Sequence, residues 1–150
     1  MVPSNDIRYE RSQLGVEHCI GIFEVTRDMI IDFARSTGET APIFAGGPDC
    51  DEEVVAPPTF CNLLTSKISR PDIKLEFGDT GFFAGQGIEL MDHIRPGDVL
   101  EGRTKLKDVY AKTGRSGKMV FAVWETSFSN QHGRTVALVR DSFVRRNRGS

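Results

Sequence analysis

The chain has few of the features that mark specialised protein classes. Its three cysteines, Cys19, Cys50 and Cys61, are an odd number with no C-x-x-C pair and no neighbouring histidine at ligand spacing, so neither a disulfide framework nor a zinc site is expected. They read as reduced thiols of a cytosolic protein. Long apolar runs are also missing. The longest stretch without a charge, residues 54–66, is interrupted by Pro57 and Pro58, whereas a membrane-spanning helix needs about 20 apolar residues. The opening residues Met1 to Asp6 lack the basic stretch and apolar run of a secretory signal. No large excess of one charge sign is present either, the formal net charge being −2, which gives no general attraction to nucleic acid. The sign shifts along the chain: residues 1–75 hold 7 basic against 12 acidic side chains, and residues 76–150 hold 12 against 9. The basic ending, Arg140, Arg145, Arg146 and Arg148, reads as a solvated tail or as a contact for phosphates or an acidic carrier. There is no G-x-S-x-G elbow, no Walker A spacing and no G-x-G-x-x-G after a strand, which sets aside serine-hydrolase and nucleotide chemistry.

What is present suits one globular domain over residues 1–150, with a core at about 14–146. At 39% hydrophobic and 27% charged residues, the chain has an ordinary folded composition. A domain of this size buries roughly 70% of its unfolded surface and needs no staple. Residues 14–25, with Val16, His18, Ile20 and Ile22 alternating, predict a half-buried strand. Thr26 is a candidate N-cap for a helix whose apolar face is Met29, Ile30, Phe33 and Ala34, and Gly38 suits its end. Residues 39–55, with Pro42, Gly46, Gly47 and Pro48 and the acids Asp49, Asp51, Glu52 and Glu53, read as a surface loop. Pro57 and Pro58 then preset a second, more apolar helix at residues 59–69, carrying Phe60, Leu63, Leu64 and Ile68 on one face.

From Gly81 onward the period approaches two. Turn signals at Arg95-Pro96-Gly97-Asp98, at residues 112–117 and at Asn130-Gln131-His132-Gly133 divide this half into strands near 82–94, 99–111, 118–129 and 134–146. Such short connections predict an antiparallel meander. Met119 to Trp124 is apolar on both faces, which predicts a central strand covered on each side. The expected fold class is α+β: a sheet of about five strands wrapped around the helix at 59–69.

That order resembles the hot-dog fold, and three strings sharpen the likeness. Gly38-Glu39-Thr40-Ala41-Pro42-Ile43-Phe44 resembles the G-D-x-N-P-x-H loop of the MaoC-like (R)-specific enoyl hydratases and dehydratases. Ala56-Pro57-Pro58-Thr59-Phe60 resembles the helix start of the N-terminal, fatty-acid-synthase-like branch of that family, and Arg95-Pro96-Gly97-Asp98 resembles its turn before a long strand. The resemblance implies a subunit acting on acyl-CoA or acyl-carrier-protein thioesters without a metal or redox cofactor, and it implies two hot dogs side by side, as a homodimer or with a different subunit.

The departure from the family loop matters as much. Its Asp position is Glu39, its Asn position Ala41 and its His position Phe44. A phenylalanine can neither take nor hold a proton, so general acid/base help worth ~10²–10⁴-fold is missing at that position. Glu39 remains as the candidate catalytic residue. Its carboxylate sits one methylene farther out, and misplacement by ~1 Å can cost ~10²-fold. His18, His93 and His132 fall in a strand, beside a turn and in a turn, and none is tied by sequence to Glu39. The candidates for substrate binding are Thr59 and Phe60, whose backbone N–H groups are the first free donors after the two prolines, together with Gln86, Gly87 and Phe44. Gly85-Gln86-Gly87 reads either as a close-approach site or as a bulge. Phe44, Phe60, Phe82 and Phe83 read either as core or as an acyl tunnel. A thioesterase is disfavoured, because residues 59–69 carry no acid. The resulting expectation is a hydratase or dehydratase subunit whose dyad is completed by a partner, the alternative being a noncatalytic acyl-thioester-binding or structural homodimer.

Overall fold

A computed structural model describes residues 7–47, 53–66, 68–115 and 117–147. The predicted loop's Pro48, Asp49, Asp51 and Glu52, together with Cys50, Lys67 and Arg148, lie outside the described residues. The opening strand, β1, spans His18–Glu24. It begins later than the alternation suggested, because Leu14 forms only an isolated parallel bridge to Leu106. It is followed by α1 at Arg27–Ser36, the short α2 at Pro42–Ala45, α3 at Cys61–Thr65, and the strands β2 at Thr80–Leu90, β3 at Val99–Gly114, β4 at Gly117–Ser129 and β5 at Thr135–Arg146. The sheet is antiparallel and five-stranded, in the order β1-β3-β4-β5-β2.

Helix α1 forms for the reasons its sequence suggests. The Thr26 hydroxyl accepts from the Met29 N–H at 3.2 Å, and Ile30, Ile31 and Ala34 are buried. The helix ends where Gly38, at φ 81°, takes the left-handed conformation that a side chain disfavours. The central helix is shorter than residues 59–69. A 3-10 turn at Pro58–Phe60 leads into α3, which stops at Thr65. The Ser66 hydroxyl donates to the Leu63 carbonyl at 3.0 Å and the Ile68 N–H to the Thr65 carbonyl at 3.3 Å, so the helix closes in local hydrogen bonds before Ser69. What remains is still enclosed, with Phe60 and Cys61 fully buried and Leu64 4% exposed.

The meander is only partly realised. β3, β4 and β5 are consecutive hairpins, but β2 crosses to the far side of β5 and β1 takes the open edge of β3. The link from Leu90 to Val99 is too long to be a tight hairpin and carries Ile94, fully buried, into the core. β4 is central as expected. Its inner face packs Val120, Ala122, Trp124, Thr126 and Phe128. Its outer face is not covered as expected. Met119, Phe121 and Val123 stay half-buried, and Phe121 is sheltered by stacking on Tyr110 at 5.1 Å with the Lys112 ammonium above both rings. At Gly102, an added Cβ would meet Ile20 at 2.7 Å and the Phe128 ring at 3.0 Å. Glycine therefore leaves room there for the Ile20 and Phe128 side chains.

Bulges decide which side chains face inward. The shift between Cys19 and Gly21 reverses the phase of β1, so Ile22 is 71% exposed while Phe23 packs on the core. The shift between Leu106 and Asp108 does the same to β3, whose buried set passes from Leu100 and Leu106 to Val109 and Ala111. The interior forms two clusters. One gathers α1 and α3 around Phe60, Leu100 and Phe128. The other lies under residues 7–10 and 71–77 and contains Ile7, Ile73, Leu106, Val109 and Trp124. The two covering segments are tied together by Glu10 N–H to Ile73 O at 2.7 Å and Glu76 N–H to Arg8 O at 2.9 Å.

Candidate active site

Glu39 follows the left-handed turn at Gly38 and is anchored at both its ends. Its N–H donates to the Ala34 carbonyl at 2.8 Å, and its Oε1 accepts from the Ala41 N–H at 3.3 Å. The half-buried side chain lines a cleft of about 670 Å³ between the end of α1 and the start of the central helix, facing Phe33, Thr37, Pro57, Thr59 and Asn62. The volume falls in the usual range of about 300–1,000 Å³ for small-molecule sites. Glu39 is the sole titratable side chain among the described lining residues. A carboxylate, two threonine hydroxyls and an amide are therefore the polar groups that this cleft offers to a ligand.

The other predicted site residues separate. Thr59 shares the cleft with Glu39. Phe60 does not: it is fully buried, edge-to-face with Phe33 at 5.6 Å, and its N–H is taken by the Pro57 carbonyl at 2.9 Å. Of the two expected free donors only the Thr59 N–H lacks a hydrogen-bond acceptor among the described residues. Phe44 sits half-buried in α2 and is not among the residues lining the cleft. Gln86 and Gly87 lie on the edge strand β2 and are not among the residues lining the cleft. The Gln86 amide nitrogen donates to Asp141 Oδ1 at 2.7 Å, while Arg70 binds Asp141 Oδ2 at 2.6 Å. The shift between Phe83 and Gly85 is the bulge. Both Gly85 and Gly87 border open space.

None of the histidines reaches the cleft. His18 is hydrogen-bonded to Gln13 Oε1 at 3.0 Å, and His132 lies 3.4 Å from Gln131. His93 follows β2, its N–H donating to Asp92 at 2.8 Å. Cys61, beside Phe60, is also no nucleophile: burial pushes its thiol up to about 12, so it stays protonated near neutral pH. Sequence reasoning missed Thr37 and Asn62 as lining residues, although Asn62 follows Thr59 by one helical turn, the spacing that shares a face. It also missed the Arg70–Asp141–Gln86 network, whose members are too far apart in sequence to leave a local signal. Among the described residues no group of three or more His, Cys, Asp or Glu side chains is placed to hold a metal, and no helix is long and apolar enough to cross a membrane.

The family model for the dehydratase domain region of FAS1-like proteins matches residues 12–139. The chain belongs to this family. No curated protein matches the sequence. Among solved structures, the chain is similar to the C-terminally truncated HadBC (3R)-hydroxyacyl-ACP dehydratase complex of Mycobacterium tuberculosis, at 19% identity and TM-score 0.66 over 90% of this chain and 98% of that one. It is similar to the ChsH1-ChsH2 complex of the same organism at 16% identity and TM-score 0.64, over 91% and 86% of the two chains. The unliganded R-hydratase PhaJ1 of Pseudomonas aeruginosa matches at 16% identity and TM-score 0.63, over 89% and 82%. At these identities the likeness establishes the shared fold, a single α+β hot dog.

Proposed function

We propose that this chain is the acyl-thioester-binding subunit of an (R)-specific enoyl-thioester hydratase or 3-hydroxyacyl-thioester dehydratase, and that a paired hot-dog subunit supplies the Asp and His it lacks. The observation that carries this reading is the Glu39 cleft itself, where one carboxylate stands without a second titratable side chain among the described residues. Hydration adds a water hydroxyl to Cβ of the enoyl group and a proton to Cα. Dehydration reverses both transfers, so either direction needs groups that take and return protons at two carbons. Glu39 can exchange one proton through a water. Among the described lining residues no second titratable group completes the circuit.

The chain retains the means to bind. The Thr59 N–H, without an acceptor among the described residues, belongs to a cleft-lining residue and is suited to a thioester carbonyl oxygen, where a donor stabilises charge that develops as an enolate forms. The edge strand β2 has a free side along its 11 residues, with Phe82 44% and Phe83 53% exposed and open space at Gly85 and Gly87. A long edge of this kind, with Glu89 as its one charged residue, accepts another strand. The described similar structures include chains of two named complexes, HadBC and ChsH1-ChsH2, which supports a partner of the same fold. Purification of the complex from its native cell tests the reading. A hetero-oligomer with hydratase activity, reconstituted by coexpressing the two chains, is expected. A homodimer with no active partner would replace this reading with the noncatalytic one.

A further inference from the structure

A second cavity lies at the other end of the interior. It has a volume of about 510 Å³ and opens between residues 71–75 and the inner face of β2, β4 and β5. Its apolar walls include Ile73, Leu75, Phe83, Trp124 and Phe143, and Phe83 meets Phe143 edge-to-face at 5.5 Å. It shares no lining residue with the Glu39 cleft. Where the two core clusters meet, the strand register sets Thr104, hydrogen-bonded to Thr126 at 3.0 Å, in the row of Val139, and Asp141 with Gln86 in the row of Trp124.

The charged side chains lining this cavity are Asp72, Lys74 and Arg145. Asp72 accepts from the Lys74 N–H at 2.9 Å, and the Lys74 ammonium reaches Glu10 at 3.2 Å. Arg145 is different. Its guanidinium is fixed by donating to the carbonyls of Phe77 at 2.7 Å and Gly78 at 3.0 Å, and among the described residues it meets no carboxylate. A positioned cation beside an aromatic cavity recognises a molecule with an anionic head and an apolar body. We infer that this cavity is a binding site for a medium-chain carboxylate, with the apolar tail between Phe83, Phe143 and Trp124 and the carboxylate on Arg145. The site is independent of the proposed thioester cleft.

Trp124 is the single tryptophan of the chain and lines the cavity, so its fluorescence reports occupancy without reference to turnover. The full chain is titrated with decanoate, with decanol and with decanoyl-CoA. Decanoate is expected to give a saturable change, with decanol about tenfold weaker because it lacks the charge. Arg145→Gln is expected to weaken decanoate to the level of decanol, and Arg145→Lys, which keeps the charge, to restore most of the loss. Decanoyl-CoA, whose chain ends in a thioester, is expected not to displace decanoate. The inference is overturned by an unsaturable response, by equal affinity for decanoate and decanol, by Arg145→Gln and Arg145→Lys behaving alike, or by displacement with decanoyl-CoA.

Discussion

The two hollows of the molecule are of similar size and opposite character. The Glu39 cleft is built from helix ends and turns, so backbone donors, hydroxyls and a carboxylate reach it. The Trp124 cavity is built on the pleated face of the sheet, so aromatic rings form its walls, with Arg145 from a strand and Asp72 and Lys74 from the covering segment as its charged groups. Volume does not tell them apart, because both lie within the range of ligand sites. What separates them is the kind of backbone beneath: helix termini leave polar groups unsatisfied, whereas a strand spends its own in the ladder. The acyl-thioester reading belongs to the first hollow.

The sharpest way to break this comparison is to remove the packing behind one hollow alone. Phe60→Ala empties a fully buried site under the Glu39 cleft and is expected to lower unfolding stability by about 3–5 kcal/mol, measured by urea denaturation. The Cys61 thiol beside it should resist iodoacetamide at pH 7 in the native chain and react only on unfolding. Burial holds it near a pKa of about 12, a thiolate fraction ~10³-fold below that of an ordinary thiol. Asp141→Ala attacks the boundary between the hollows. It leaves the Arg70 guanidinium, whose Nε already has no partner, and the Gln86 amide without their shared acceptor, and about 3 kcal/mol is the expected loss.

A smaller effect comes from the outer face, behind Trp124. Burial alone would raise the Glu125 carboxyl, but hydrogen bonds from Lys107 and Arg140, both at 2.9 Å, bring it below its ordinary value. A carboxyl depressed in the folded state adds stability above its unfolded pKa, and that contribution is lost as pH falls through the lower folded value. Glu125→Gln should therefore cost at most about 1 kcal/mol at pH 7. The gap to the unsubstituted chain should close in acid, as a pH series of thermal melts would show.

The elements that were legible in the sequence rest on local chemistry. Thr26 three residues before Met29 and Gly38 at a helix end each reflect a single short-range requirement, and the structure meets both; it also meets the central place of β4, though not the cover expected on its outer face. The bulges at Gly21 and Lys107 were not legible, since one extra residue reverses the inward face without changing composition. Nor was the place of β2 beside β5, which is fixed by long-range pairing such as Gln86 opposite Asp141. At the site, Glu39 and Thr59 line one cleft, because both sit where a helix starts or stops. Phe60 and Gln86 do not join them. Phe60 is drawn into the core by its ring, and Gln86 is held by a carboxylate 55 positions away.

The proposed function requires that the Glu39 cleft cannot complete proton transfer with its own residues. The purified chain, free of any other hot-dog subunit, is assayed on a short enoyl-CoA by loss of the conjugated thioester absorbance. No turnover above the uncatalysed rate is expected, with Glu39→Gln indistinguishable from the unsubstituted chain. Hydration at ordinary enzymatic rates by the isolated chain, abolished by Glu39→Gln, would contradict it.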